Sequence, residues 1–275
     1  MFPFQTHTAQ ASMIIAHATD LRPDGGVAFE HSVALARQTG ATLYSIHANP
    51  SVGRRPIPDA MELQRRWGDI RPVEHHRVHH QCCDDTVDSL LDALDRLGPD
   101  MLVVGTHQRQ GLERMIKGCV SEALTLSANV PTLLVPIGQS GFVSAQTGQI
   151  DLYRVLAPVE DLTASRAVID ALMAFVAPLG LVELEVLLLH VGKDAPIDGL
   201  DVPQRQGWRW RWIYAQGDVE DEVLWQAQTH NVDMVVMATR GQDSLLDVLR
   251  GTHTQNIIRA APCPVLAVPI KSAQA

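Results

Sequence analysis

Apolar residues in this chain fall into short continuous runs separated by stretches of helical periodicity. Residues 12–18 (SMIIAHA) form one such run, which ends at Thr19 and Asp20. A short apolar run bounded by turn residues reads as a strand buried on both faces. Residues 27–38 then carry apolar positions at helical spacing and stop at Gly40, the residue type favoured just past a helix end. Residues 42–48 give a second strand and 73–81 a third, more polar one. Over 86–97, Val87, Leu90, Leu91 and Leu94 share one helical face, and Gly98-Pro99 terminates the helix. A fourth strand follows at 101–105, a helix at 119–127 and a fifth strand at 131–135. The rest of the chain runs in the same order: strand 153–157, helix 165–176, strands 184–191 and 208–214, helix 219–229, strand 234–238, helix 252–259, strand 264–268. Apolar strands alternating with helices predict a parallel sheet covered on both faces. Right-handed crossovers make it doubly wound α/β, with ligands outside the carboxyl ends of the strands.

The order repeats because the sequence repeats. VPTLLVPI at 130–137 matches CPVLAVPI at 263–270, and DMLVVGTHQ at 100–108 matches DMVVMATRG at 233–241. Gly118 falls on Gly251, SIHA at 45–48 on LLHV at 188–191, and MIIAHATDL at 13–21 on YRVLAPVED at 153–161. Matched blocks in one order predict a duplicated domain, 1–138 and 150–275, with the polar, glycine-bearing residues 138–149 as a linker. The halves differ between their second and third strands. The first half has a short helix predicted over 59–67, whereas residues 192–207, rich in Asp, Pro and Gly, predict none and a more open rim.

With 46% hydrophobic and 19% charged residues among 275, the chain has ordinary globular composition for two domains. Thirty-one acidic against twenty-two basic residues, net −9, argue against nucleic-acid binding. No apolar run approaches the length of a membrane span, and residues 1–10 carry no secretory pattern, so the expectation is a cytoplasmic protein without membrane insertion. Cys82, Cys83, Cys119 and Cys263 are too few and too badly spaced for a disulfide framework and suit a reducing compartment.

Chemistry is expected after the fourth strands. GTHQRQGLERMIKGC at 105–119 and ATRGQDSLLDVLRGT at 238–252 each place a glycine loop after a parallel strand and a second glycine at a helix start. Glycine lets the backbone approach a phosphate, and free N–H groups at a helix N-terminus favour its charge. The Thr252 hydroxyl serves either as a helix cap or as a phosphate contact.

These blocks together resemble the universal stress proteins in their tandem form. The resemblance rests on ATD at 18–20, the strand-two endings IHA and LHV, the blocks VVGTH and VVMATRG, the Gly-Thr helix start and the terminal PCPVLAVP. It implies five parallel strands per domain in the order 3-2-1-4-5, and domains paired through their fifth strands. It also implies an ATP site with the glycine pattern G-x2-G-x9-G-[S/T] and an Asp at the end of strand one. Neither half has the pattern whole. The first half supplies Asp20, Ala48, Gly105 and Gly118, but Gln108 and Cys119 replace the second glycine and the hydroxyl. The second half has Gly241, Gly251 and Thr252 in register, with Ala238 for the first glycine, Glu160 for the Asp and Val191 beside the adenine. One methyl at Ala238 leaves most backbone geometries open, whereas Gln108 strains a glycine position. The second half is therefore the expected site for ATP or another adenine nucleotide, with Mg²⁺, in a regulatory, stress-response role. No Walker A lysine is present, so slow hydrolysis ranks behind binding.

Two further features compete for attention. EHHRVHHQCC at 74–83 offers zinc-type donors. On a strand His76, His80 and Cys82 share one face and His75 and His79 the other, so no metal site is assigned. His17 and His47, on adjacent central strands, are placed to extend such a site, but the family resemblance implies hydrogen-bonded core histidines at His47 and His190 and a family-typical one at His107. Trp208, Trp210 and Trp212 alternate with Arg209 and Arg211, so the aromatics are expected to face helices on one side and the arginines solvent; the alternative is a nucleotide-free binding or scaffold module using a hydrophobic groove of the second domain. Cys119, at a helix start, is either a redox-sensitive thiol or a packed side chain. A further homodimer is left open.

Overall fold

The computed structural model describes residues 13–22, 25–48, 56–107, 120–139, 141–193, 199–240 and 254–270. In chain order the elements are β1 (Ile14–Ala18), α1 (Gly26–Thr39), β2 (Thr42–His47), α2 (Ala60–Arg66), β3 (His75–His79), α3 (Thr86–Leu97), β4 (Met101–Thr106), α4 (Val120–Ser127) and β5 (Thr132–Pro136). The second half follows with β6 (Arg154–Pro158), α5 (Leu162–Val176), β7 (Leu184–Val191), β8 (Trp208–Ala215), α6 (Val219–Thr229), β9 (Met234–Arg240) and β10 (Val265–Ile270). A helix over residues 254–260 precedes β10. The ends are chemically marked. Gly40 and Gly98 take left-handed backbone at φ 73° and 60° to stop α1 and α3. Asp85, Asp161 and Asp218 cap α3, α5 and α6 by accepting backbone N–H bonds from the first turn.

All ten strands form one sheet in the order β3-β2-β1-β4-β5-β10-β9-β6-β7-β8. Each half thus has the expected order 3-2-1-4-5 with parallel neighbours, and the halves meet where β5 pairs antiparallel with β10, Leu133 opposite Leu266. One apolar layer runs along one face from Leu43 and Val33 through Leu133 to Leu172 and Val186. The other runs along the opposite face from Leu102 and Leu124 through Leu134 to Leu156 and Leu187. Both layers cross the β5–β10 seam, so the halves share a core. A bidentate pair, Arg259 to Glu122 of α4, ties the two helices that flank the seam.

The expected linker is packed instead. Phe142 and Val143 are buried, Phe142 N–H donates to His31 Nε2 at 3.2 Å, and the Phe142 ring lies 4.7 Å from His31 and 6.3 Å from Phe175 of α5. Beyond it, the Trp67 indole donates to Ala145 O and Arg37 to Gly148 O. The polar composition that suggested a linker belongs to a turn whose two apolar residues plug the seam.

On the aromatic strand the tryptophans turn inward and Arg209 and Arg211 are exposed, as expected. No helix occurs among the described residues between β7 and β8, and residues 199–207 run beside the tryptophans instead. Trp208 is buried, and Trp210 is half-buried with its indole N–H donating to Pro203 O at 2.9 Å. Trp208 and Trp210 are therefore covered by the chain itself. Leu162–Leu179, whose mean hydropathy of 1.5 matches a membrane span by length and composition, is a core segment: Val168, Ile169, Leu172 and Val176 are buried in the sheet layer.

Candidate functional site

In the second half the carboxyl ends of β6, β7 and β9 open onto a cavity of about 360 Å³. Its wall includes Pro158, Val159 and Glu160 after β6, His190 and Val191 at the end of β7, Ala238 on β9, Ser165 on α5, and Thr254. The doubly wound order creates this opening. β6 lies between β7 and β9, so the connections from β6 and β9 leave toward opposite faces and a crevice remains between them. Of the predicted nucleotide residues, the cavity brings together Glu160, Val191 and Ala238. Gly241, Gly251 and Thr252 lie outside the described residues, as do Gly118, Cys119 and Gln108 of the first half.

Two polar atoms that sequence reasoning did not single out as ligands complete the wall. Ser165 Oγ and His190 Nε2 are buried without a hydrogen-bond partner among the described residues. Ser165 is 1% exposed and His190 9%. His190 Nδ1 lies 3.4 Å from Val159 O, so Nδ1 carries the proton toward the carbonyl and Nε2 presents a lone pair. Buried polar groups are normally satisfied, so the pair is the polar part of the cavity wall with hydrogen-bonding capacity to spare. The pattern signal for His190 was present in LHV; Ser165 had no signal beyond its place on α5.

The first half is arranged differently. His47 repeats the His190 geometry, with Nδ1 2.8 Å from Thr19 O and Nε2 buried without a described partner. Asp20, however, is engaged by Arg22 Nε at 3.3 Å and His107 Nε2 at 3.5 Å. Gly105 is crowded: a Cβ there would stand 3.2 Å from Ile137 Cδ1 and 3.6 Å from Ala28. Ala48 is buried in the apolar layer under β2.

The sequence profile of the Universal stress protein family matches residues 13–136 and 204–269 of this chain. The chain belongs to the universal stress protein family. Among curated relatives, the chain is 23% identical over 137 residues to the stress response protein NhaX of Bacillus subtilis (strain 168), covering 46% of this chain and 82% of that one. Among solved structures it is similar to a universal stress protein from Archaeoglobus fulgidus DSM 4304, with TM-score 0.63 at 15% identity over 95% of this chain and 97% of the other. A protein of unknown function from Pseudomonas aeruginosa PAO1 matches with TM-score 0.61 at 13% identity, over 94% and 93% of the two chains. At these identities the solved structures speak for the fold, in which both halves of this universal stress protein place their strand ends on the candidate sites.

The histidine-rich strand is largely used up by hydrogen bonds. Ala60 N–H donates to His75 Nδ1 at 3.3 Å, so His75 Nε2–H donates to Ser45 Oγ at 2.9 Å, and the Ser45 hydroxyl turns to His17 Nδ1 at 3.2 Å. Burial, and then the neighbouring His75, hold His17 down to about 3. Burial likewise holds His75 at about 4, so both stay neutral. Burial, with Asp233 nearby, pushes the Cys263 thiol up to about 12 and makes it a packed residue rather than a nucleophile. Cys82 and Cys83, expected as free thiols of a reduced chain, form a disulfide between adjacent residues.

Proposed function

We propose that this chain binds an adenine nucleotide, ATP, in the cavity of its second half, and that occupancy regulates its contacts with other proteins in a stress response. The observation that carries this reading is the pair of orphaned buried atoms, Ser165 Oγ and His190 Nε2, in a crevice at the strand ends. A cavity of about 360 Å³ lies within the usual size range of small-molecule sites. Its apolar wall, Val159, Val168, Val191 and Met237, suits a purine ring, and Glu160 stands where a carboxylate would accept from a ribose hydroxyl. The phosphates and Mg²⁺ would then fall toward the segment carrying Gly241, Gly251 and Thr252. Binding rather than turnover fits the wall, whose described residues include one carboxylate and no lysine or arginine.

Calorimetric titration of the full chain with ATP and Mg²⁺ tests the reading. Micromolar binding is expected for the native protein, about tenfold weaker binding for His190→Phe, and loss of binding for Ala238→Trp, whose indole fills the cavity. Thermal melts confirm that each variant folds. No binding by the native protein, or equal binding by Ala238→Trp, overturns it.

A further inference from the structure

The end of β3 carries a second constellation, remote in sequence from the nucleotide cavity. The strand stops at His79, so the alternation that would separate His80 from its neighbours ends there. His80 N–H donates to His47 O at 2.9 Å, anchoring the turn on the end of β2. Three residues on, Cys83 N–H donates to Ser89 Oγ, and the Ser89 hydroxyl donates back to Cys83 O, both at 3.3 Å, which fastens the turn to α3. Between these two anchors His80 and Cys82 face Asp92, one helical turn beyond Ser89. One donor atom from each of His80, Cys82 and Asp92 lies within 4.8 Å of the others.

A tetrahedral zinc ion with bonds of about 2.0–2.3 Å holds its ligand atoms roughly 3.3–3.8 Å apart, so this spacing needs only small side-chain shifts. The donor set is chemically apt: imidazole nitrogen, thiolate sulfur and carboxylate oxygen suit a borderline divalent ion, and thiolate plus carboxylate neutralise its charge. His80 Nε2 now pairs with Asp92 Oδ2 at 2.7 Å, and Arg96 Nε holds the same oxygen at 2.9 Å. Arg96 orients the carboxylate, and the His80–Asp92 contact is the one an inserted ion replaces. The disulfide adds a second observation. A bond between adjacent residues closes no chain loop, so it has no entropic stabilisation to offer, and its consequence is chemical.

We propose that His80, Cys82 and Asp92 are the protein ligands of a zinc ion, and that the Cys82–Cys83 bond gates this site. The joined sulfurs exclude the metal and the separated thiols admit it. A dithiol reductant opens the site by exchange. It closes its own S–S bond while two electrons and two protons pass to Cys82 and Cys83, and zinc then displaces the proton of the Cys82 thiol. A hydroperoxide closes it. Its O–O bond takes the two electrons from the Cys82 thiolate and the Cys83 thiol, the Cys83 proton and one proton from solvent leave in water and an alcohol, the S–S bond forms and zinc is released.

The test is a zinc titration of the full chain against a competing chelator, after dithiol reduction and after peroxide treatment. Cobalt substitution reads thiolate coordination directly as a sulfur-to-metal charge-transfer band. The reduced protein is expected to bind one zinc per chain and to show the band. Peroxide treatment and Cys82→Ser should each abolish the band and weaken binding at least about tenfold, and Asp92→Asn should weaken binding by about tenfold while keeping the band. Absence of zinc binding by the reduced protein, or unchanged binding in Cys82→Ser or after peroxide, overturns the proposal. Cys82 is exposed, so its replacement leaves the fold intact, which circular dichroism verifies.

Discussion

At the end of β1 the Asp20 carboxylate is engaged by Arg22 and His107, and Ile137 crowds Gly105; at the end of β6 Glu160 borders a cavity of about 360 Å³. The strand order around both points is the same, and His47 and His190 repeat one geometry in the two halves. A duplicated fold thus repeats the crevice geometry at its strand ends, while single side chains give the two ends different surroundings. A second contrast lies at the outer edges. The first half covers its edge with α2 beside a five-residue polar strand, and the second covers an eight-residue aromatic strand with the extended residues 199–207.

The comparison presumes that the halves, though different, form one cooperative unit, and Phe142 is where that breaks most. Phe142→Ala removes a ring shared by His31 of α1 and Phe175 of α5 and should cost about 3–5 kcal/mol. Urea unfolding followed by tryptophan fluorescence should then show two transitions in place of one; a single unshifted transition would mean the halves are joined by the sheet alone. Next in size is the seam pair. Arg259→Met leaves Glu122, whose side chain is 9% exposed, without its guanidinium, at about 1–3 kcal/mol in the same assay.

Acid sensitivity should sharpen the contrast, because it is built into the first half. His31 donates from Nδ1 to Val27 O and accepts at Nε2 from Phe142 N–H, and burial holds it down at about 4. A free histidine titrates near 6.5, so between pH 6.5 and about 4 the unfolded chain takes up a proton that the folded one refuses. The contribution is intact above pH 6.5 and is lost as pH falls, by about 1.4 kcal/mol per pH unit for this residue. Stability measured across that range should fall less steeply in His31→Gln than in the native protein. The smallest effect is expected at the other edge: Trp210→Phe loses the bond to Pro203 O and about 1 kcal/mol, with the cavity of the second half undisturbed. Loss of nucleotide affinity in that variant would join the edge to the site and undo the separation drawn here.

Much of the fold was legible because strand and helix periods are local. The apolar run at Leu184–Val191, the glycine after α1 and the aspartates before α3, α5 and α6 each act within a few residues. The site was legible only in part. Glu160, Val191 and Ala238 followed from the family resemblance, whereas Ser165 lines the cavity because α5 packs over the sheet there. The surroundings of Phe142 and Trp210 were hidden for a related reason. A polar turn around two apolar residues and an Asp/Pro/Gly-rich stretch look open in one dimension, and only long-range contacts show that each lies over a core.

The sequence by itself determined the alternation of elements, the duplication, the strand order through family resemblance, and the chemistry available at each strand end. Those are consequences of local periodicity and of residue identity. The tertiary structure alone decided that the two halves share continuous apolar layers across β5 and β10, that the cavity stands open in the second half with two polar atoms unmatched, and that Asp92 meets His80 and Cys82. These depend on distances between residues far apart in the chain. Such distances are set by packing, where a side chain such as Ile137 or Arg22 either fills a space or leaves it.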